Sequence, residues 1–446
     1  MTEELIAVLS KIPGLRVIAR TSVIPYRSSG KSVTQIGTEL GVGSILEGSV
    51  RKSGDRLRIT LQLIDVSSQE HVWSEKYDRQ LTDVFGIQTE VAESTAKLIR
   101  VELSDRAREF LHRTPTTDMG AYELYLRAVL RGDAAALIDA ETFRETVALL
   151  EQAIERDSRF ALAYARLGYV YVVGAGDFLP HRDGFARARS AVNRALELDP
   201  DLSEAHWALG SLAMQEEHDW TRAEEEFRRA LALNPSDAEA RSSYSNLLRV
   251  TGRFQEAEQE LRAALEINPT WWVPRWGLVD LALSRGEIEV AKERVQQLLR
   301  PDPNPMLTHL MFAVFYADVG RSADAHRELD LAGRPSIMLL RVARALGALG
   351  ELDEARGLLA ELTAAPDRKF VSGDFIAALY AVVGDKEKAL ATIEADIKEG
   401  ESGLWLRHPM PAYDSMRDDP RFQAALRTFH LPDSALRKVP RRQPTG

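Results

Sequence analysis

Cysteine is absent from all 446 residues. Its absence removes disulfide cross-links, thiolate metal sites and thiol nucleophiles together. The nine histidines include no His-x-x-x-His or His-Glu-x-x-His, so no helix offers paired imidazoles to a metal. No apolar run reaches the ~18 residues that a membrane-spanning helix needs, so direct membrane insertion is not expected. The opening residues, Met1 to Ser10, are acidic and amphipathic, unlike a positively charged secretory segment. A cytoplasmic location is the resulting expectation, and an extracytoplasmic one if a membrane helix precedes the chain. A positive surplus is missing as well. The formal charge is −10, which argues against nucleic acid as the main partner, because phosphate binding needs a basic surface.

Signatures of catalysis are equally scarce. No Gly-x-Ser-x-Gly elbow occurs. Gly41-Val42-Gly43 with Gly48 sits between a helix and a strand, the reverse of the strand-to-helix order a pyrophosphate site requires. Gly30-Lys31-Ser32 resembles the end of a phosphate loop, but Pro25 occupies the position of its first glycine. His181-Arg182-Asp183 is similar to a kinase catalytic loop, yet no Gly-rich loop, lysine strand or Asp-Phe-Gly accompanies it. Glu224, Glu225 and Glu226 are consecutive and read as a solvated helix face. The expectation is a protein without catalytic residues, cofactor or metal.

What the chain does contain is a repeat. Gly252 precedes Ala257 by five residues, and the same step recurs from Gly286, Gly320, Gly350 and Gly384 to Ala291, Ala325, Ala355 and Ala389. A period near 34 residues predicts stacked helical hairpins, none of which can bury its apolar face alone. Each glycine ends a first helix, and Asn268-Pro269 ends a second, since proline cannot continue it. At this length the chain exceeds a single core. Residues 1–113 carry 16 Lys+Arg against 15 Asp+Glu, the remainder 41 against 52, so the acidity belongs to the repeats.

The spacing of Tyr164, Leu167, Gly168, Tyr171, Ala188, Ala195 and Pro200 resembles the tetratricopeptide repeat family. It recurs in His206, Leu209, Gly210, Ala213, Ala223, Phe227, Ala230 and Pro235. About eight hairpins are counted between residues ~118 and ~400. The resemblance implies an α-solenoid whose first (A) helices line a concave face that holds a protein or peptide. It places Tyr169, Trp207, Met214, Asn246, Arg249, Trp276 and Asp280 on that face. Trp and Arg are frequent binding hot spots, although Trp207 and Trp276 could equally pack between adjacent A helices. The family's clamp for a terminal carboxylate repeats Lys and Asn; only Asn246 fits it, so a different ligand is expected. Gly168 to Ala188 is about eight residues longer than a regular unit, with Phe178, Leu179 and Phe185 in or beside the insertion, a feature that often touches a partner.

Before the repeats, hydrophobic periodicity predicts the order α-β-α-β-β-β-α: a helix at 2–11, a strand at 15–20, a loop at 21–31, a helix from Ser32 to Leu40, and strands at 44–52, 56–66 and 71–79. A helix capped by Asp83 then runs to about Leu103. Leu57, Ile59, Leu61 and Leu63 alternate with Arg58, Thr60 and Gln62, giving one buried and one wet face. The blocks Ile12 to Thr21, Leu46-Glu-Gly-Ser-Val-Arg51 and His71-Val-Trp-Ser-Glu-Lys-Tyr-Asp-Arg79 resemble the TolB amino-terminal-like domain that bacterial signalling proteins carry before tetratricopeptide repeats. The resemblance implies a small mixed α/β sheet over 1–113, the solenoid over 114–400, and a capping helix with a basic tail (Arg437, Lys438, Arg441, Arg442) over 401–446. The family's first strand has no counterpart here, which would leave a sheet edge unpaired. The chain is therefore expected to be the C-terminal part of a longer product, or to have a misassigned start; the resemblance implies a cyclase, kinase or winged-helix DNA-binding domain upstream.

Overall fold

The computed structural model describes every residue except 1, 54–55, 81–82, 104, 133–139, 177, 299–304, 333–344, 365–372, 401–402, 408–410 and 434–446. The basic tail lies outside the described residues, and so does the cap's last stretch.

The repeats fold as the glycine period requires. The A and B helices pair as α6 (Met119–Arg131) with α7 (Ala140–Arg156), α8 (Ala161–Gly174) with α9 (His181–Leu198), and α10 (Ser203–Leu212) with α11 (Trp220–Leu233). They continue as α12 (Ala238–Val250) with α13 (Phe254–Ile267), α14 (Trp272–Ser284) with α15 (Ile288–Leu298), and α16 (Pro305–Asp318) with α17 (Ser322–Ala332). Then come α18 (Leu352–Ala364), the pair α19 (Gly373–Val382) and α20 (Lys386–Glu399), and a cap of α21 (Leu404–Arg407) and α22 (Pro420–Arg427).

All five periodic glycines adopt a left-handed backbone, φ 73 to 86°, which only glycine enters without penalty. At each of them the last turn closes identically. The glycine N–H donates three residues back, as Gly252 does to Arg249 O at 3.1 Å, and the next N–H donates five residues back, as Arg253 does to Leu248 O at 2.7 Å. This Schellman closure satisfies carbonyls that a helix end would otherwise orphan. Five residues on, Ala257, Ala291, Ala325, Ala355 and Ala389 are all buried, because the two helices of a hairpin touch there and leave room for nothing larger. The third hairpin departs from the rule. His218 occupies the glycine position with φ 52°, after a widened turn over Ala213–Glu217.

The N-terminal module holds α1 (Thr2–Leu9), α2 (Arg20–Val23), α3 (Val33–Leu40), β1 (Ser44–Ser53), β2 (Arg56–Asp65), β3 (His71–Gln80), α4 (Val84–Leu98) and α5 (Asp105–Leu111). The Ser32 hydroxyl and the Gln35 side chain close a reciprocal capping box at α3. The sheet order is β1-β2-β3, with both pairs antiparallel, so it is antiparallel throughout and not mixed. Leu57, Ile59 and Leu61 of β2 pack with Leu5, Ile87 and Val91, and the opposite face carries the ion pairs of Arg56 and Arg58 with Asp78. Helix α4 ends at Leu98, earlier than expected, and Asp83 makes no side-chain capping bond.

The expected strand at 15–20 is not a strand. Its backbone groups bond to the turns between repeats. Ala19 N donates to Ile267 O at 2.9 Å, and the Ser236 hydroxyl donates to Leu15 O at 3.1 Å. Arg16 Nη1 donates to Glu266 O at 2.6 Å. The Ser22 hydroxyl, fully buried, donates to Asn268 Oδ1 at 2.6 Å. The expected loop at 21–31 is partly helical, with α2 followed by a 3-10 turn over Ile24–Ser28. Alternation of polar and apolar residues marks an extended chain but does not name its hydrogen-bond partner.

The C-terminal cap returns to the third and fourth hairpins. Trp405 lies 5.8 Å, ring centre to ring centre, from Trp220, and the Trp220 indole donates to the carbonyls of Phe429 and His430. His218 stacks beside Trp220 and meets Phe429 edge-on at 4.9 Å. The position without glycine thus supplies the ring on which the cap sits.

Candidate functional site

The A helices α8, α10 and α12 are tied to one another by side chains. Tyr169 of α8 and Trp207 of α10 lie ring against ring at 4.8 Å. The Tyr169 hydroxyl donates to Glu239 Oε1 of α12 at 2.6 Å, and Trp207 Nε1 donates to Ser243 Oγ at 2.9 Å. Arg166, one turn before Tyr169, places its guanidinium 4.2 Å over the Tyr169 ring. It also pairs with Glu204 at 2.8 Å and donates to Gly132 O. The result is a polar strip of two ion- or hydroxyl-carboxylate pairs and one indole bond crossing three successive A helices.

Tyr169, Trp207 and Met214 are only 2%, 5% and 5% exposed. These three pack between helices and do not line open surface: Tyr169 and Trp207 bridge neighbouring A helices through each other, Glu239 and Ser243. Of the two readings of Trp207, interhelical packing holds. Asn246, Arg249, Trp276 and Asp280 are half-buried and form the part of the expected face still reachable. Arg249 Nη2 donates to Leu406 O of the cap at 3.3 Å, so the cap borders this region. The insertion near Gly174–Gly184 turns inward: Phe178 stacks on Phe143 at 5.2 Å and Phe185 is buried.

Glu204 and Glu239 were not singled out in the sequence, although the repeat register carries a signal for both. Each is the second residue of its A helix, a groove position, but as charged residues they read as solvent-facing. Burial pushes the Glu239 carboxyl up to about 7; the Tyr169 hydrogen bond pulls it down, and nearby Asp237 adds to the rise. Glu239 therefore holds its proton more tightly in the folded chain than in the unfolded one, where 4.5 is the reference. Folding takes up a proton between those values, so this residue's contribution is most favourable below about pH 4.5 and is lost as pH rises through about 7. Glu239→Gln keeps an oxygen for Tyr169 and removes the titration. The variant is expected to exceed the wild type by on the order of 1–3 kcal/mol at pH 8 and to match it near pH 4.5, in urea unfolding at both pH values. An equal difference at the two pH values would show that Glu239 is not held this way.

No helix among the described residues is long and apolar enough to cross a membrane. Comparison with known proteins places tetratricopeptide repeats at residues 215–270 and 251–311, each matched by a profile of that repeat. The chain is 32% identical over 217 residues to "Putative adenylate cyclase 3" of Rhizobium meliloti (strain 1021), covering 47% of this chain and 35% of that protein. It is 33% identical over 94 residues to the type IV pilus assembly protein PilF of Pseudomonas aeruginosa, covering 21% of this chain and 34% of that protein. The matched regions span about a third of the length of each of these relatives. Among solved structures, that of Pseudomonas aeruginosa PilF is similar at 25% identity with a TM-score of 0.36, covering 48% of this chain and 96% of that one.

Proposed function

We propose that this protein is a non-catalytic interaction scaffold that holds a peptide segment of a protein partner on the inner face of its repeats, at Asn246, Arg249, Trp276 and Asp280. The observation that carries the reading is the division of that face. Its first half is sealed by the Tyr169–Trp207–Glu239 ties, whereas these four side chains, on α12 and α14, remain partly exposed within the repeats at 215–311. An aromatic ring, an arginine, an amide and a carboxylate on these two A helices suit a peptide bearing an apolar anchor and both kinds of polar group.

The match to the Rhizobium protein supports a regulatory or sensory role in a bacterial signalling protein; in this reading a TolB-like module occupies residues 1–113, the solenoid 114–400 and a cap the rest. The same match, which covers 35% of that protein, supports a catalytic domain elsewhere in a longer product; a cytoplasmic location is part of this reading. Assembly work in the envelope is the second reading, favoured by the match to PilF. Fractionation of the native protein separates the two, since recovery outside the cytoplasm favours the second.

Peptides selected from a random library on the intact chain provide the test of the groove. Trp276→Ala is expected to weaken the selected peptides by ~2 kcal/mol, about 30-fold. Arg262→Ala, on an exposed face of α13, serves as the control. Unchanged affinity in Trp276→Ala would overturn the assignment. Nucleotide turnover by the chain alone would overturn its non-catalytic part.

A further inference from the structure

A cavity of about 620 Å³ lies where the N-terminal module meets the first two hairpins, between α1, α4 and α5 on one side and α6 and α8 on the other. That volume falls in the range of small-molecule sites, which favour such junctions. One wall is aromatic. Phe85 meets Tyr122 edge-on at 4.7 Å, Tyr122 and Tyr125 stack at 6.2 Å, and Leu126 completes the surface.

Polar groups line the cavity too. Gln88 lines the cavity at 5% exposure, and its Nε2 has no hydrogen-bond partner. A buried donor left unsatisfied is costly, and such a group calls for an acceptor. Lys11, Arg113 and Arg159 also line the cavity, with Asp199 the one carboxylate in the wall. Asp199 pairs with Arg113 at 2.9 Å. Burial pushes Lys11 down to about 8, against the pull of Glu204, Asp199 and Asp237, so the amine keeps its charge at neutral pH while lacking full hydration.

We propose that this cavity binds a small organic monoanion with an aromatic body, its ring against Phe85, Tyr122 and Tyr125 and its acid group accepting from Lys11 Nζ and Gln88 Nε2. An aromatic body alone would leave the Gln88 amide unsatisfied, and a second negative charge would face Asp199. Because both the module and the repeats supply walls, an occupant ties the two together. The site stands apart from the peptide face, and neither reading depends on the other.

The probe is 1-anilinonaphthalene-8-sulfonate, an aromatic monoanion whose fluorescence rises in apolar surroundings, compared with uncharged N-phenyl-1-naphthylamine. The intact chain is expected to bind the sulfonate saturably at one site, about tenfold or more tighter than the uncharged compound. Lys11→Met is expected to erase most of that preference, and Leu126→Trp, which fills the cavity, to abolish binding by both compounds. Equal affinity of the wild type for the two compounds, or no saturable site, overturns the proposal whether or not the Leu126 variant folds. A folded Leu126→Trp that binds as the wild type does also overturns it. The probe reads the cavity and the selected peptides read Trp276, so either reading can fail without the other.

Discussion

Replacing Arg166 by methionine is expected to cost about 3–5 kcal/mol in chemical unfolding, one of the two largest effects anticipated for a single side chain here. Arg166 is 8% exposed and bridges three A helices: it reaches Gly132 O at the end of α6, lies over Tyr169 of α8, and pairs with Glu204 of α10. Burial alone would lower its proton affinity, but the Glu204 carboxylate raises it above the ordinary arginine value. Methionine fills the volume but leaves Glu204 without its cation and the Gly132 carbonyl without its donor. Uncompensated charge, more than lost attraction, sets the size of the effect. Its Nε has no partner even in the wild type, so the site is not fully satisfied to begin with. The double variant Arg166→Met with Glu204→Leu is accordingly expected to recover much of the loss. A single-variant loss below about 1 kcal/mol, or no recovery in the double variant, would show that the pair does not brace these helices.

Phe227→Ala is expected to cost a similar 3–5 kcal/mol. The ring is fully buried in α11, lies 6.3 Å from Tyr244 of the next hairpin, and faces Gly210 of its own. A Cβ at Gly210 would come within 2.9 Å of Phe227 Cδ1, so glycine is present to admit the ring. Two consequences distinguish this from generic core loss. Gly210→Ala should destabilise the wild type yet cost less when Phe227 is already alanine, because the cavity receives the added methyl. Repeats contact chiefly their neighbours, so the thermal transition of Phe227→Ala should broaden as the third and fourth hairpins uncouple from the rest. Strict additivity of the two substitutions would refute the packing argument.

Much of the architecture is written in local terms. Gly252 and its four periodic equivalents need only a left-handed residue and a short alanine five positions later, and both requirements are visible in any one unit. The Ser32–Gln35 cap, the stop at Gly41 and the alternation in β2 are likewise settled within a few residues. The failures share a different cause. Residues 15–20 alternate as a strand does, but their partners are turns some 220–250 positions later. Phe178 in the insertion reads as a candidate partner contact because nothing nearby in sequence shows Phe143 waiting. Trp207 reads as a hot spot or as packing with equal ease until Tyr169 and Ser243 are placed around it.

The chain's own order of residues specifies a repeating hairpin, its turn and its small-residue contact, because each depends on backbone conformation and side-chain size within one unit. Which part of the inner face stays open, where a carboxyl keeps its proton near neutrality, and what surrounds the junction cavity depend on distances between segments far apart along the chain. The stacking of the hairpins, the return of the cap and the docking of residues 15–22 set those distances. They arise from many weak contacts summed over several hairpins, and no single unit carries a record of that sum.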